Sequence, residues 1–323
     1  MIPLMRRMTH HSKRESFFAI GSPALIWQIL FFYLPLCLMI LSSIVIFSEE
    51  GATWSLTLHN FAPLCSSSHL ITIFNSLSLA FITAFFSLLI AYPLAHFISF
   101  KGGRYKTLML FFLIVPFWTN FLLHVYSWFF VLEREGFMNT LLLHLGVIHE
   151  PLHFLNSFFA VLVMMIYCYL PFMVLPIFSA LERFDHCLLE VSDDLGASRV
   201  KTFRTVMLPL TLPAIRAGFF LVFIPSFGEF IIPELMGGDK HYFVGNVVSQ
   251  YVLGAETGGM GAAFMVMSSV SLLLAVMMIY LLFKRLGKYL LRGLVCEEGC
   301  LENLEGSPLS QPPIFFSISP SSS

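Results

Sequence analysis

Residues 184–216 read FDHCLLEVSDDLGASRVKTFRTVMLPLTLPAIR, the longest charged segment that lies between two long apolar runs. In its first part, Leu188, Val191 and Leu195 recur at helical spacing. Gly196 then interrupts this pattern at the place where a helix C-cap is expected. The first part of the segment therefore predicts a short amphipathic helix that ends at a glycine turn.

The second part of the segment resumes the helical period. Val200, Phe203 and Met207 follow the same spacing, and Pro209 and Pro213 are expected to end the second helix. The segment thus predicts a helical hairpin with an apolar face and a charged face. A hairpin of this kind at a membrane surface is suited to docking against a soluble partner.

The composition of the chain indicates a polytopic membrane protein. Apolar residues make up 57% of the 323 residues and charged residues only 11%, and the mean hydropathy is +0.83. A soluble domain carries about a quarter charged residues. The chain has no G-x-x-x-x-G-K-[ST] loop for nucleotide phosphates and no H-E-x-x-H or G-x-S-x-G motif, which argues against a membrane enzyme.

Six apolar runs predict an all-α protein with six transmembrane helices, each of which needs roughly 20 residues. The first run is too long for a signal-peptide core and is interpreted as a retained span. The fifth is short and is expected to extend back to Pro213. The six runs cover residues 16–48, 70–100, 107–132, 153–181, 217–232 and 258–283.

The distribution of basic residues predicts the orientation of these spans. Sixteen of the eighteen Lys and Arg residues lie before the first span or after the second, fourth and sixth spans, and only Arg134 and Lys240 lie in the alternate loops. By the positive-inside rule both termini and the hairpin are cytoplasmic. We therefore predict a cytoplasmic segment 1–15, a six-span domain 16–288 with the loop 182–216, and a disordered cytoplasmic tail 289–323.

The hairpin resembles the EAA loop of ABC-importer permeases, which is written E-A-A, three residues, G, nine residues, I-x-L-P. Glu190, Gly196, Leu208 and Pro209 fall at the expected spacing. Two positions depart from the pattern, since residues 191 and 192 are Val and Ser where the family prefers alanine.

This resemblance implies a type I ABC-importer permease fold whose EAA loop acts as a cytoplasmic coupling helix on a separate ATPase. It implies no catalytic residue and no cofactor on this chain, since ATP and Mg belong to the ATPase. The expected partners are a second homologous permease, two ATPase copies, an extracytoplasmic solute-binding protein and the lipid bilayer, with no nucleic acid. The coupling residues it implies are Glu190, Asp194, Gly196, Val206, Leu208 and Pro209.

Other stretches resemble the permeases of spermidine/putrescine importers, particularly their first permease subunit. They are AYPLA (residues 91–95), PFWTNFLLHVYSWFFVL (116–132), LPFMVLPIFSALE (170–182) and GEFIIPELMGG (228–238). Within the second of these, His124 stands where relatives often carry an arginine.

The residues of these stretches are compatible with a polycationic solute. An ammonium group needs carboxylates and aromatic faces, and each cation–π contact contributes about 0.5–2 kcal/mol. Glu229 is an intramembrane carboxylate and hence a candidate for function. The candidate pathway residues are Trp118, Asn120, Tyr126, Trp128 and Glu229. Alternatively, Trp118 and Trp128 belong to an interfacial aromatic belt, and Glu229 pairs with the partner permease.

We therefore predict a multi-pass permease subunit of the bacterial cytoplasmic (inner) membrane that moves spermidine or putrescine by alternating access. One alternative is an importer permease for ferric ion, an oxyanion or a sugar. A second is a stand-alone channel or secondary transporter, which the hairpin argues against.

Overall fold

The computed structural model describes residues 22–47, 54–56, 59–185, 187–238, 242–253 and 258–305. Within them the backbone forms eleven helices besides isolated 3₁₀ turns. The helices are α1 (Ser22–Ile44), α2 (Ser67–Lys101), α3 (Lys106–Trp118), α4 (Phe121–Leu132), α5 (Phe137–His144), α6 (Phe158–Glu182), α7 (Cys187–Asp194), α8 (Arg199–Phe227), α9 (Ile231–Met236), α10 (Val244–Leu253) and α11 (Gly258–Glu305). The predicted cytoplasmic segment 1–15 lies outside the described residues.

One short pair of strands is the exception to the predicted all-α structure among the described residues. β1 (Val45–Phe47) directly follows α1 and pairs in antiparallel fashion with β2 (Trp54–Leu56). β1 consists of the β-branched and aromatic residues Val, Ile and Phe, which favour extended backbone, and β2 begins with the aromatic Trp54.

Five helices are long and apolar enough to cross a membrane: α1, α2, α6, α8 and α11. A sixth span is reached when the segment containing α3 is taken together with the segment from α4 to α5. The predicted number of six spans therefore holds with one of the spans broken.

The break falls inside the third predicted span, which the sequence suggested to be continuous from residue 107 to 132. α3 ends at Trp118 and α4 begins at Phe121. Asn120 has an extended backbone, and its side-chain oxygen accepts a hydrogen bond from the Leu122 N–H at 2.9 Å. Asparagine caps helix starts in this way, so the side chain of Asn120 stabilises the break.

The second arm of the hairpin continues directly into a span, contrary to prediction. Pro209 and Pro213 were expected to end its helix, but α8 runs unbroken from Arg199 to Phe227. A π turn at Phe203–Met207 precedes the first proline. The wider turn relieves the clash that a proline ring makes with a carbonyl in a regular α-helix. The predicted short fifth span is consequently part of a much longer helix.

The last helix also exceeds its predicted length. α11 continues to Glu305, whereas the sequence suggested a disordered tail over residues 289–323. Leu, Lys, Arg and Glu, which are good helix formers, are frequent beyond residue 281. Residues 289–305 are therefore helical, where the sequence suggested disorder. Residues 306–323 lie outside the described residues.

The chain divides into two compact units. The first unit contains the described parts of residues 1–83, 119–168 and 223–275, and the second contains those of 84–118, 169–222 and 276–323. Each has its own fully buried residues, such as Met164 and Phe264 in the first and Met173 and Leu181 in the second.

Small residues allow close helix packing in the second unit, as is common in membranes. A Cβ atom added at Gly218 of α8 would lie 3.0 Å from the Met173 sulfur and 3.2 Å from Cγ of Pro176, both on α6. α6 and α8 are therefore in direct contact, and the hairpin that connects them begins and ends on two packed helices.

Candidate coupling hairpin and pathway residues

The turn of the hairpin is a glycine-capped helix end. α7 ends at Asp194, and Gly196 has a φ of 72°. The Gly196 N–H donates to the Asp193 carbonyl at 2.9 Å, and the Ala197 N–H donates to the Ser192 carbonyl at 3.1 Å. These two bonds form a Schellman motif, in which the left-handed residue is usually glycine. The predicted glycine turn is therefore confirmed.

A buried pair of hydroxyl groups joins the two arms of the hairpin. Ser192 Oγ on α7 lies 2.8 Å from Thr202 Oγ1 on α8, and both side chains are buried. Thr202 Oγ1 donates in addition to the Ser198 carbonyl at 3.3 Å. Because buried hydroxyl groups need hydrogen-bond partners, Thr202 explains how serine is accommodated at a position where the EAA pattern has alanine.

The apolar face of the hairpin points outward. Leu188 and Val191 of α7, Leu195 directly after it and Val200 of α8 are exposed, and Leu195 is exposed by 82%. We call these four residues the apolar strip. The side chain of Val191, the second departure from the EAA pattern, is thus accommodated at the surface instead of between the two arms.

The predicted coupling residues fall into two groups. Glu190 and Asp194 are exposed on α7, which also carries Leu188 and Val191 of the apolar strip. Val206, Leu208 and Pro209 are half-buried on α8, in or just after the π turn. The first group shares the outward surface of the hairpin, whereas the second belongs to the arm that leads into the span.

An aromatic residue of α2 holds this arm within the second unit. The Tyr92 ring packs edge-on against Phe203 of the π turn, with ring centroids 5.4 Å apart. Tyr92 Oη also lies 3.4 Å from Thr211 Oγ1 on α8. Tyr92 belongs to the AYPLA stretch, whose resemblance to polyamine permeases is apparent from the sequence, although its contact with the hairpin is not.

The five predicted pathway residues have different surroundings. Trp118 is the last residue of α3, is strongly exposed, and lies in the second unit. Asn120, Tyr126, Trp128 and Glu229 lie in the first unit. Asn120 is occupied as the cap of α4, and the side chain of Tyr126 is half exposed.

A cluster of hydrogen-bonded and aromatic side chains lies around Trp128 in the first unit. The Trp128 ring packs edge-on against Tyr167 of α6 at 5.6 Å. Tyr167 Oη is 3.1 Å from His124 Nδ1, and the other ring nitrogen of His124 is hydrogen-bonded to Thr119 Oγ1. The sequence did not predict a role for Tyr167. We call these four residues the His124 cluster.

Glu229 is held in place by its own turn. Glu229 Oε1 accepts a hydrogen bond from the Ile231 N–H at 3.1 Å, at the start of α9. Its charge is near enough to interact electrostatically with Cys168, the neighbour of Tyr167 on α6. The side chain is half-buried. The carboxylate is therefore held in one position and is still partly exposed at the surface of the first unit.

The segment after Glu229 packs tightly against this turn. A Cβ atom at Gly245 would lie 2.6 Å from the Glu229 carbonyl oxygen, so only glycine fits there. Asn246 donates to Glu234 Oε2, and the Val244 N–H donates to Ser76 Oγ of α2 at 2.7 Å. Gly245 and Asn246 therefore pack against the GEFIIPELMGG stretch and support the turn that contains Glu229.

Comparison with known proteins identifies the family of this chain. The family of binding-protein-dependent transport system inner membrane components matches residues 87–293. The chain belongs to this family. It is a permease and a multi-pass protein of the inner membrane, so the prediction of a transporter subunit and not an enzyme is confirmed.

Two relatives are similar to this permease over most of its length. Both are named spermidine/putrescine transport system permease protein PotB, and both are 36% identical to it over 82% of its chain. The match covers 91% of the protein from Salmonella typhimurium (strain SL1344) and 95% of that from Escherichia coli (strain K12). The resemblance to polyamine permeases stated from the sequence is confirmed.

A solved structure is similar to the permease in fold. It is a bacterial alginate ABC transporter in complex with an alginate pentasaccharide-bound periplasmic protein. It superposes with a TM-score of 0.68 at 18% identity, over 87% of this chain and 98% of the solved one. The predicted all-α ABC-importer permease fold is therefore confirmed.

Proposed function

We propose that this permease moves spermidine or putrescine across the cytoplasmic membrane as a subunit of an ATP-driven importer. The similarity to the two PotB proteins supports this cargo. The structural observation that carries it is the position of Glu229, a half-buried carboxylate that the turn between α8 and α9 holds in place. A carboxylate of this kind suits the ammonium group of a polyamine.

The His124 cluster supplies the second part of the proposed pathway. Trp128 and Tyr167 offer aromatic faces, which attract alkylammonium groups. Their hydroxyl and imidazole neighbours are polar without a fixed negative charge. The proposed pathway thus combines one carboxylate with several aromatic rings.

The hairpin is the proposed docking element for the ATPase. Its apolar strip is exposed on a turn held by the Schellman bonds and by the Ser192–Thr202 contact. The basic residues before the first span and in the loop that contains the hairpin support a cytoplasmic position for the hairpin and both termini. ATP hydrolysis takes place on the partner ATPase, and closure of that subunit moves the hairpin and the spans above it.

The complete importer is proposed to contain this permease, a second homologous permease, two ATPase copies and an extracytoplasmic solute-binding protein. The solved alginate transporter, which shares the fold, is in complex with a periplasmic protein. In this arrangement the binding protein delivers the polyamine to the outer side, and the two permeases form the pathway between them.

Uptake of labelled spermidine tests the proposed cargo. Proteoliposomes with the permease and its cognate subunits are expected to take up spermidine only with ATP. Unlabelled putrescine should compete, while ferric ion, sulfate and maltose should not. If one of these three solutes stimulates the ATPase and spermidine does not, the cargo is wrong although the family assignment stands.

Leu195→Glu tests the docking element. Because this side chain is exposed by 82%, the change should leave insertion intact and place a charge at an apolar contact. We expect the affinity for the ATPase to fall by roughly tenfold, measured by copurification at increasing salt. Asp193→Ala, two residues earlier in the hairpin and outside the apolar strip, is the control. Equal ATPase binding by both variants would contradict docking at the strip.

A further inference from the structure

An ion pair and a hydroxyl group join three helix ends in the second unit. Lys106 is the first residue of α3, and Glu182 is the last residue of α6. Lys106 Nζ donates to Glu182 Oε2 at 2.9 Å and to Glu182 Oε1 at 3.2 Å. Ser99, in the last turn of α2, donates its hydroxyl to Glu182 Oε2 at 3.4 Å. The carboxylate of Glu182 thus contacts α2 and α3 at once.

Each charge of this pair opposes the dipole of its own helix. A helix N-terminus favours a negative charge and a helix C-terminus favours a positive one. Lys106 nevertheless lies at the N-terminus of α3, and Glu182 lies at the C-terminus of α6. The stability of the separate helices therefore does not explain these two residues, whereas their contact across helices does.

The chain before Lys106 leaves room for its side chain. A Cβ atom at Gly102 would lie 2.3 Å from the Ile98 carbonyl oxygen and 2.8 Å from Lys106 Cγ, so a larger residue would clash both with the end of α2 and with the lysine stem. Gly103 has a φ of 49°, which turns the chain between α2 and α3. The glycine pair thus lets the lysine lie back over the turn and reach Glu182.

We propose that Lys106 and Glu182 are positioning residues that transmit the movement of the hairpin to α3. Glu182 is followed by a short connection to α7, so a displacement of the hairpin reaches Glu182 first. Through Lys106 the displacement reaches α3, which ends at the pathway candidate Trp118. This inference rests on the proposed function, because it requires the ATPase to act on the hairpin.

Neutral variants test this role in the assembled importer. Proteoliposomes with all cognate subunits are made with Lys106→Gln or Glu182→Gln, and spermidine uptake and ATP hydrolysis are measured together. We expect uptake per ATP hydrolysed to fall by about fivefold, the effect of a partly exposed ion pair, while hydrolysis continues. Arg183→Gln, an exposed charge next to Glu182, is the control and should leave the ratio unchanged.

The charge-swapped double variant K106E/E182K provides the decisive comparison. It restores the ion pair and gives each helix end the charge that its dipole favours. We expect uptake per ATP to return to within about twofold of the unmodified importer. The proposal would be overturned if the single variants left the uptake per ATP hydrolysed unchanged. It would also be overturned if the double variant restored this ratio no better than the single variants do.

Two further outcomes separate this proposal from the proposed function. If Leu195→Glu weakens ATPase binding but the Lys106 and Glu182 variants keep a normal ratio, the hairpin is the docking element and the ion pair does not transmit its movement. If the unmodified importer takes up no spermidine, the cargo is wrong, and the same ratio is then measured with the solute that stimulates the ATPase. A uniform loss of uptake and hydrolysis, with less protein in the membrane, would show a purely structural role and overturn the proposal.

Discussion

Glu229→Gln is expected to reduce ATP-dependent spermidine uptake by roughly thirtyfold, since a hydrogen bond to a charged group contributes about 2 kcal/mol. The substitution is a narrow one. Glutamine keeps an oxygen that accepts from the Ile231 N–H, as Glu229 Oε1 does at 3.1 Å, so the turn before α9 is preserved. What is lost is the negative charge available to an ammonium group. Initial uptake rates in proteoliposomes measure the effect.

Glu234→Gln is the matched control for this prediction. Glu234 is the next carboxylate along the chain and is bound by Asn246, an interaction that glutamine can also make. It should change uptake little, and both variants should retain ATPase binding. Unchanged uptake by Glu229→Gln would remove Glu229 from the pathway and leave pairing with the partner permease as its role.

Gly196→Val is expected to abolish most of the coupling between ATP hydrolysis and transport. At a φ of 72° a residue with a side chain is strained, by about 2 kcal/mol, which corresponds to roughly a thirtyfold shift toward other conformations. No atom lies within 4 Å of the added Cβ, so the effect comes from the backbone and not from a clash. Uptake per ATP hydrolysed should fall while the permease remains in the membrane.

A graded series at the same position tests this explanation. Asparagine tolerates the left-handed conformation better than other residues do, so Gly196→Asn should retain the most coupling, Gly196→Ala less and Gly196→Val least. If all three variants behaved alike, backbone conformation would not be the cause. Loss of the protein from the membrane would indicate a folding role for the turn instead.

Some parts of the hairpin follow from local sequence rules. The spacing of Leu188, Val191 and Leu195 predicted α7, and Gly196 predicted its end, because both depend on residues that are close in the chain. The contact between Ser192 and Thr202 could not be predicted, since it depends on how the two arms fold back on each other. The alanine preference of the EAA pattern suggested only that a small residue is needed there.

Other predictions failed where a nearby group changes a local preference. Pro209 and Pro213 normally end a helix, but α8 continues through both. The π turn at Phe203–Met207 directly precedes Pro209, and Tyr92 of α2 packs on this turn. In the third span the apolar pattern is continuous through Asn120, whose side chain nonetheless caps a new helix. One polar residue hardly changes the mean hydropathy of a span, so the hydropathy pattern did not reveal this break.

The sequence by itself determined the membrane class, the number of apolar runs and the family resemblance, and it predicted which loops face the cytoplasm. These features depend on composition, on the distribution of charge and on spacing along the chain, all of which act locally. Only the tertiary structure decided which side chains meet, such as Tyr167 with His124 and Trp128, and Lys106 with Glu182. Those contacts join residues far apart in the chain, and their formation depends on helix packing that no local pattern encodes.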